Sequence, residues 1–522
     1  MSDKINVCLM NDSFAPIIDG VANVVMNYAN IISNDNLGKA TVVTPNFPGA
    51  EDNYPFDVVR YRSMNITKKI CGYRAGYPFS SSKLDALAGQ DFNIIHSHCP
   101  FASTLMARVL REKCNVPIIL TYHTKFDIDI RRSLPTKLMA EQAIKFVVSN
   151  ISACDEVWTV SHGAGENLRS LGYKGDFVVM ENGVDFPRGR ADENAAAELR
   201  KKYGISPDEF LFMFVGRLLW YKGLKIILDA VKILAAKNLR FRMMIVGDGI
   251  ERDEIEAYAK EIGVYDKCIF TGAVTDREEL RVYYTAGELF VFPSEYDTNG
   301  IVVREAAACG MASVLIEGSC AAEGITDGRT GVLSAHDAAC VADKMEFAVL
   351  NREKMRVFGD NAMREVYISW EDAVKNAVKR YPEVVERCMK GQTQRREGAV
   401  TEEFFVMMDN VTKSIQKIRS IPTGIKKKST QTKEKIKSKT SKRTSSFRKK
   451  KAVSPIPDGF SAKDIRIEQS VCTGERTIGF FSREQNKLMF SELVRDDEDI
   501  KAFYHRYGIM SDLDEDDDDI LP

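Results

Sequence analysis

Ser294-Glu295-Tyr296-Asp297-Thr298-Asn299-Gly300-Ile301-Val302-Val303-Arg304-Glu305-Ala306-Ala307-Ala308-Cys309-Gly310 follows directly on an apolar run, Leu289-Phe290-Val291-Phe292-Pro293. The apolar run reads as a buried strand. From Gly300 the pattern turns helical and Ala-rich, and Gly310 is placed to end the helix. Asp297 precedes that helix and Glu305 falls in its second turn. The backbone N–H groups over 298–301 lack intrahelical acceptors, so they form a place for a phosphate or a sugar oxygen. A capping Asp on a surface loop gives the same local pattern. What separates the two is the company this stretch keeps.

Upstream, strands alternate with helices. Phe210–Val215, Phe241–Val246, Cys268–Thr271 and Leu289–Pro293 read as strands, with helices at Lys222–Lys237, Ile250–Ile262 and Arg277–Ala286 between them. Short strands at Ser313–Ile316 and Gly331–Leu333 follow, and a helix over Glu371–Cys388 closes the segment. Apolar strands separated by helices predict a parallel, doubly wound sheet. Gly216-Arg217-Leu218-Leu219-Trp220-Tyr221-Lys222-Gly223 leaves the first of these strands and enters a helix. Arg217 brings a fixed fork of donors and Lys222 a mobile charge. Two cations at a helix N-terminus oppose the helix dipole unless an anion sits with them. Gly247-Asp248-Gly249 after the next strand is a truncated glycine motif and, alone, weak support for a dinucleotide.

The N-terminal half repeats the scheme. Ile5–Met10 is a strand, a loop from Asn11 to Gly20 follows, and Val21–Ile32 is an apolar helix. Further strands are expected at Ala40–Thr44, Asp57–Tyr61, Asn93–His98, Pro117–Tyr122, Glu156–Ser161 and Phe177–Glu181, with helices at Ala102–Lys113, Leu134–Ile151 and Ala164–Leu171. Pro187–Asn194 is polar and reads as the connection between the two halves. His123 ends a strand, where ligands collect in open α/β sheets. His96 and His98 form an HxH without clustered acids or cysteines, so they are read as structural rather than as a metal site.

A chain of 522 residues is too long for one ordinary core. Its 44% hydrophobic content suits a globular protein, and no run of eighteen apolar residues or signal-peptide core occurs, so a cytoplasmic location is expected. Eleven scattered cysteines with no CxxC pair point to reduced thiols.

Taken together, the motifs resemble the family 4 retaining glycosyltransferases, whose GT-B architecture sets two Rossmann-like domains face to face. The residues that carry the resemblance are Pro16-Ile17-Ile18-Asp19-Gly20-Val21, Asp91-Phe92-Asn93-Ile94-Ile95-His96-Ser97-His98, Tyr122-His123-Thr124, Asn182-Gly183-Val184-Asp185, Gly216-Arg217 with Lys222-Gly223, Val246-Gly247-Asp248-Gly249, and the stretch from Asp297 to Glu305. The resemblance covers residues 1–390 and implies an acceptor-binding domain over 1–186 and a nucleotide-sugar domain with its closing helix over 187–390. It implies that Arg217 and Lys222 hold the donor's diphosphate and that Glu305 accepts from the ribose hydroxyls. Asp297 and the amides of Asn299, Gly300 and Ile301 would grip the sugar, and His123 would face it near the anomeric carbon. Asp19, Gly20 and Gly216 belong to the implied donor site, Gly20 letting the first loop approach the phosphates. No metal or other cofactor is implied, the cations taking that role. The family usually carries Glu where this chain has Asp297, one methylene shorter.

Asp-Thr-Asn-Gly at 297–300 and the loop around Phe14-Ala15-Pro16 look most like bacterial synthases that glucosylate diacylglycerol, which implies UDP-glucose as donor and a membrane lipid as acceptor. The stretch 60–79 carries Arg60, Arg62, Lys68, Lys69 and Arg74 among Tyr61, Ile70, Tyr73, Tyr77 and Phe79, a pattern suited to an anionic membrane surface as well as to an ordinary loop. A soluble sugar or cell-wall precursor as acceptor, and a non-catalytic membrane- or nucleic-acid-binding scaffold, are the alternatives; Arg217, Lys222, Asp297 and Glu305 together argue against the scaffold.

The net charge of −1 conceals a segregation. Residues 411–453 hold sixteen Lys or Arg against one acid, Glu434, and are rich in Ser and Thr. Such a tract, within an expected disordered linker at 391–455, suits the inner face of an anionic membrane, with no nucleic-acid module beside it. A small unit over 456–510 is expected to contain a hairpin, Thr477–Phe481 and Lys487–Phe490, then a short helix, before an acidic tail at 511–522.

Overall fold

The computed structural model describes residues 4–395 except 18, 66–73, 80 and 135, together with 456–457, 460–469, 476–482, 487–494, 500, 503–504 and 506–507. Two compact units divide the chain, Met1–Val406 with Val471–Thr473, and the remainder.

The first unit holds two parallel sheets. Its N-terminal part runs β1 (Ile5–Met10), α1 (Gly20–Asn34), β2 (Gly38–Pro45), β3 (Asp57–Tyr61), a short antiparallel pair β4 (Ser63–Asn65) and β5 (Arg74–Gly76), α2 (Ser81–Ala88), β6 (Ile94–Ser97), α3 (Ala102–Cys114), β7 (Ile118–Tyr122), α4 (Phe126–Ser133), α5 (Lys137–Ser152), β8 (Glu156–Thr159), α6 (His162–Ser170) and β9 (Val178–Val179). Seven strands lie in the order β3-β2-β1-β6-β7-β8-β9. The order reverses between β1 and β6, and the crevice at such a reversal is where open α/β sheets bind ligands. The loop bearing Asp19 and Gly20 leaves β1 there, with His98 and His123 following β6 and β7.

The second part runs α7 (Glu193–Lys202), β10 (Phe210–Val215), α8 (Leu224–Ala235), β11 (Phe241–Val246), α9 (Arg252–Glu261), β12 (Cys268–Gly272), α10 (Arg277–Ala286), β13 (Leu289–Phe292), α11 (Ile301–Ala308), β14 (Ala312–Ile316), β15 (Gly331–Ser334), α12 (Ala338–Leu350), α13 (Arg352–Glu365) and α14 (Trp370–Met389). Its strand order is β12-β11-β10-β13-β14-β15, reversing between β10 and β13. β10 is Phe-Leu-Phe-Met-Phe-Val and buried at every position, as a central strand covered on both faces must be. Gly216 and Asp297–Gly300 emerge at this second reversal.

Several elements add to the sequence expectation, α2, α4, α12, α13 and the β4–β5 pair among them, and two bear on the domain organisation. α7 begins at the end of the polar connection read at 187–194 and runs on through residues to which the sequence reading attached no element; Asp192 caps it by accepting from Asn194 N, and an Ala-rich turn with a basic end completes it. The family resemblance groups the closing helix with the second domain, yet α14 packs on the first. Its buried face, Trp370, Ala373, Val374, Ala377, Tyr381 and Val384, joins the core formed by β1, β2 and α1. The Tyr381 ring stacks on Trp158 with centroids 5.7 Å apart. Burying the larger of these side chains is worth about 1.5–3 kcal/mol each, and the helical spacing of the face does not say which sheet receives it.

In the second unit, β16 (Ile465–Gln469), β17 (Arg476–Ser482) and β18 (Lys487–Val494) form an antiparallel sheet. The expected hairpin is its β17–β18 pair; β16 is an additional strand. Ile478, Phe480, Val494, Ile500 and Phe503 make its core. The basic tract at 411–453 and the acidic tail lie outside the described residues. No described helix is long and apolar enough to cross a membrane.

Candidate active site

Asp297 and Lys222 meet at the N-terminus of α11. Lys222 Nζ lies 2.7 Å from Asp297 Oδ2. Asp297 Oδ1 accepts from Gly300 N at 2.9 Å and from Asn299 N at 3.3 Å. Burial is the largest single influence on this carboxyl and acts upward, but Lys222 and the two amides together bring it below its ordinary range. Gly300 adopts φ 59°, and a Cβ there would lie 2.9 Å from Ala321 Cα, so the turn into α11 requires glycine. The anion expected near the paired cations is, for Lys222, Asp297 itself. Both polar atoms of the Asn299 side chain are buried and lack a protein partner among the described residues.

Gly216 hydrogen-bonds through its N–H to Val246 O at 3.0 Å, and Arg217 beside it is exposed. The Gly247-Asp248-Gly249 motif has a packing origin. A Cβ on Gly247 would lie 1.9 Å from Gly216 O, so the turns after β10 and β11 touch through glycine.

Glu305, on α11, is buried and faces α10. Arg277 Nη2 donates to Oε1 at 2.7 Å and the Tyr284 hydroxyl donates to Oε2 at 3.0 Å. Burial drives the carboxyl upward; Arg277 and Tyr284 oppose it, and the balance remains above the ordinary value. Sequence reasoning alone singles out neither Arg277 nor Tyr284. Their seven-residue spacing on one helix is the available sign.

Across the unit, Asp19 caps α1, one carboxylate oxygen accepting from Val21 N at 2.9 Å and Ala22 N at 2.7 Å. A Cβ on Gly20 would meet nothing within 4 Å, so the loop has open space beside it. His123 is buried, and its Nε2 lies 3.0 Å from His98 Nδ1 with the rings 19° from parallel, a near in-plane hydrogen bond. Burial takes the His123 imidazole down to about 3, so it is neutral at ordinary pH. His96 instead ties α14 to the sheet, its Nδ1 pairing with Tyr381 OH at 2.8 Å and its Nε2 with Thr121 Oγ1 at 2.7 Å. Among the described residues no three His, Cys, Asp or Glu side chains gather as metal ligands.

The loop bearing Asp297 is tied to the first sheet's side. Ser161 Oγ donates to Thr298 O at 2.6 Å, and Glu323 accepts from His162 N and Gly163 N, each at 2.6 Å. Lys222, Asp297, Asn299 and Gly300 are therefore together, with Ile301 opening α11 and Glu305 one turn on. His123 and Asp19 spend the hydrogen bonds described above within the first sheet's own elements.

Within the proposed membrane stretch, Arg60, Tyr61 and Arg74 make internal contacts, while Arg62 is exposed. Arg60 pairs with Asp52 at 2.7 Å and donates to Ala15 O at 2.7 Å, and Tyr61 is fully buried. These two residues are corrected from lipid-facing to internal, because Asp52 and the first loop claim the guanidinium. Arg74 is half-buried and donates to Ser63 Oγ at 2.8 Å across the β4–β5 pair. Lys68 and Lys69 lie outside the described residues.

Residues 18–188 match the family described as Glycosyltransferase Family 4, and residues 196–365 the family described as Glycosyl transferases group 1. An alpha-monoglucosyldiacylglycerol synthase of Streptococcus pneumoniae is 24% identical over 241 residues, covering 45% of this chain and 54% of that protein. A D-inositol 3-phosphate glycosyltransferase of Catenulispora acidiphila is 28% identical over 286 residues, 52% of this chain and 66% of that protein. The chain thus spans about half the length of the first relative and less than two thirds of the second. The Anabaena protein HepE, solved with UDP and glucose, shares the fold with a TM-score of 0.55 at 16% identity, over 72% of this chain and 98% of that one.

Proposed function

The chain belongs to the family 4, group 1 glycosyltransferases of GT-B architecture, and from that premise we propose that it transfers a hexose, with retention, from a nucleotide diphosphate sugar to a membrane lipid. Glucose from UDP-glucose is the proposed donor chemistry and diacylglycerol the proposed acceptor. The observation that carries the reading is the pairing of Lys222 with Asp297 at the N-terminus of α11. A donor diphosphate offers Lys222 a stronger partner than one carboxylate oxygen. As Lys222 turns to it, Asp297 Oδ2 is released for a sugar hydroxyl, while Oδ1 keeps the turn capped. Arg217 and Lys222 then neutralise the diphosphate as it leaves, the role a metal takes in other transferases. The amides at 299–301 and Asn299 hold the sugar, Glu305 the ribose, and Gly20 admits the first loop to the phosphates.

His123 acts here as a neutral hydrogen-bonding group, one ring nitrogen donating and the other accepting, since burial keeps it uncharged. No general base is assigned; retention is read as attack from the face the diphosphate leaves, with a phosphate oxygen receiving the acceptor's proton. The lipid acceptor is supported by the name of the pneumococcal relative and by the basic tract at 411–453, which would hold the protein at the inner membrane face. The inositol phosphate relative favours a second reading, a soluble phosphorylated polyol as acceptor.

The test is a transfer screen over nucleotide sugars, with diacylglycerol liposomes in one arm and inositol phosphates in the other. Product only with liposomes supports the lipid reading; product only with the polyol replaces it. Neither transfer nor donor hydrolysis in any arm leaves a non-catalytic scaffold.

A further inference from the structure

Arg277 and Tyr284 stand seven residues apart on α10, which places them on one face of that helix. Both donate to the carboxylate of Glu305, at 2.7 and 3.0 Å, one to each oxygen. The Arg277 guanidinium also lies 4.3 Å from the centroid of the Phe186 ring and 3.7 Å from Asp185 Oδ2. An ionised carboxylate has about four acceptor positions. The two bonds from α10 use one position on each oxygen and leave one free on each.

We propose that Arg277 and Tyr284 are positioning residues for nucleotide recognition: they fix the Glu305 carboxylate so that its two free acceptor positions meet the paired hydroxyls of a ribose. This rests on the assignment of Glu305 to the ribose above. A carboxylate held at one oxygen can still rotate; one held at both cannot. The contact also clasps α10 to α11: Arg277 is exposed over 43% of its side chain but Glu305 over only 6%, so losing the pair strands a buried carboxylate and costs stability, and it is the nucleotide preference that separates positioning from a clasp. The charged groups facing Glu305 are Arg277 from α10 and Asp185 from the loop before α7, with the Tyr284 hydroxyl beside them. Asp185 and burial favour the protonated carboxyl, so Arg277 is the one full charge that opposes them.

The experiment is calorimetry on the full chain with UDP, ADP, GDP and their 2′-deoxy counterparts, carrying forward the base that binds tightest. The intact protein is expected to prefer the ribonucleotide by on the order of tenfold, the scale of one hydrogen bond to a charged group. Arg277→Gln, which keeps a donor but removes the charge, and Tyr284→Phe should each erase most of that preference while barely changing affinity for the deoxy compound. In Arg277→Gln the preference should also disappear at a higher pH as the solution is acidified, because protonation takes one acceptor position from Glu305. Glu305→Gln should show no such titration. If both α10 variants lose thermal stability yet keep the preference for ribose, the contact is only a clasp and the proposal fails. If Glu305→Gln keeps the preference, or no nucleoside diphosphate binds the intact chain, the ribose assignment itself is wrong and the proposal falls with it.

Discussion

Replacing Lys222 by Ala perturbs both chemistry and folding, and the structure separates the two by their pH dependence. Lys222 and Asp297 have side chains only 15% and 17% exposed, so little water replaces the lost ammonium. The missing hydrogen bond to a charged group should cost about 1.5–3 kcal/mol of stability at neutral pH. Asp297 sits below its ordinary range in the intact protein, so its contribution is present above the unfolded value and fades as pH falls through the folded one. Without Lys222, only the Gly300 and Asn299 amides oppose burial, so the carboxyl titrates higher than in the intact protein. The variant's deficit should then be large near pH 7 and small near pH 4. Asp297→Asn combined with Lys222→Ala should recover much of it, because no charge is left unpaired. Turnover should fall roughly a hundredfold in Lys222→Ala, the scale of one electrostatic stabiliser, and the added Asp297→Asn should not restore it. Chemical unfolding at the two pH values and initial rates at saturating donor measure both effects. A deficit independent of pH, or turnover within threefold of normal, would refute the reasoning.

Gly300→Ala places a Cβ 2.9 Å from Ala321 Cα at a φ of 59°, so turnover should drop tenfold or more through displacement of the 297–300 turn; unchanged rates would mean the turn is not part of the site. Because burial keeps His123 neutral down to about 3, kcat/KM between pH 5 and 9 should show no limb that disappears in His123→Gln. Asp297→Glu should keep the Lys222 pair but weaken the cap on Gly300, raising KM for the donor while leaving kcat within about tenfold, a split that steady-state kinetics reads directly. A chain ending at residue 395, just beyond α14, should retain donor hydrolysis and float less with anionic liposomes than the full chain, the difference narrowing as salt rises; equal flotation would make the basic tract a linker only.

Much of the fold is legible in the sequence because the central strands are mostly apolar, β10 and β13 throughout, and are separated by helices. β10, β11 and α10 fall where the pattern puts them, at Phe210–Val215, Phe241–Val246 and Arg277–Ala286. What escapes is long-range. Nothing in Trp370–Met389 states that its apolar face meets Trp158 and β1 rather than the sheet just left behind. The clamp of Glu323 on the amides of His162 and Gly163 joins residues 160 positions apart through backbone donors, which any residue type supplies. Arg60 shows the opposite failure: a cation among aromatics suggests an interface, and only Asp52 and Ala15 O reveal that it is already engaged.

The departure at Asp297 can now be given a physical meaning. Asp and Asn are the residues whose short side chains cap amides two and three positions on, and Asp297 does this toward Asn299 and Gly300. A Glu at this position carries its carboxylate one methylene farther, past that turn and toward whatever occupies the cleft. The shorter side chain therefore spends one oxygen on the loop itself, and in the proposed donor site only the other, now on Lys222, would be released to a ligand. In the proposed donor site Asn299 is placed to share the sugar's recognition, since its buried amide has no protein partner among the described residues. An amide both donates and accepts, so it can satisfy a hydroxyl that a second carboxylate oxygen would only accept from. Under the proposed donor site, Asp297 and Asn299 would then act together on the sugar, and Asn299→Ala should raise KM for the donor by severalfold in steady-state kinetics; an unchanged KM would refute that pairing.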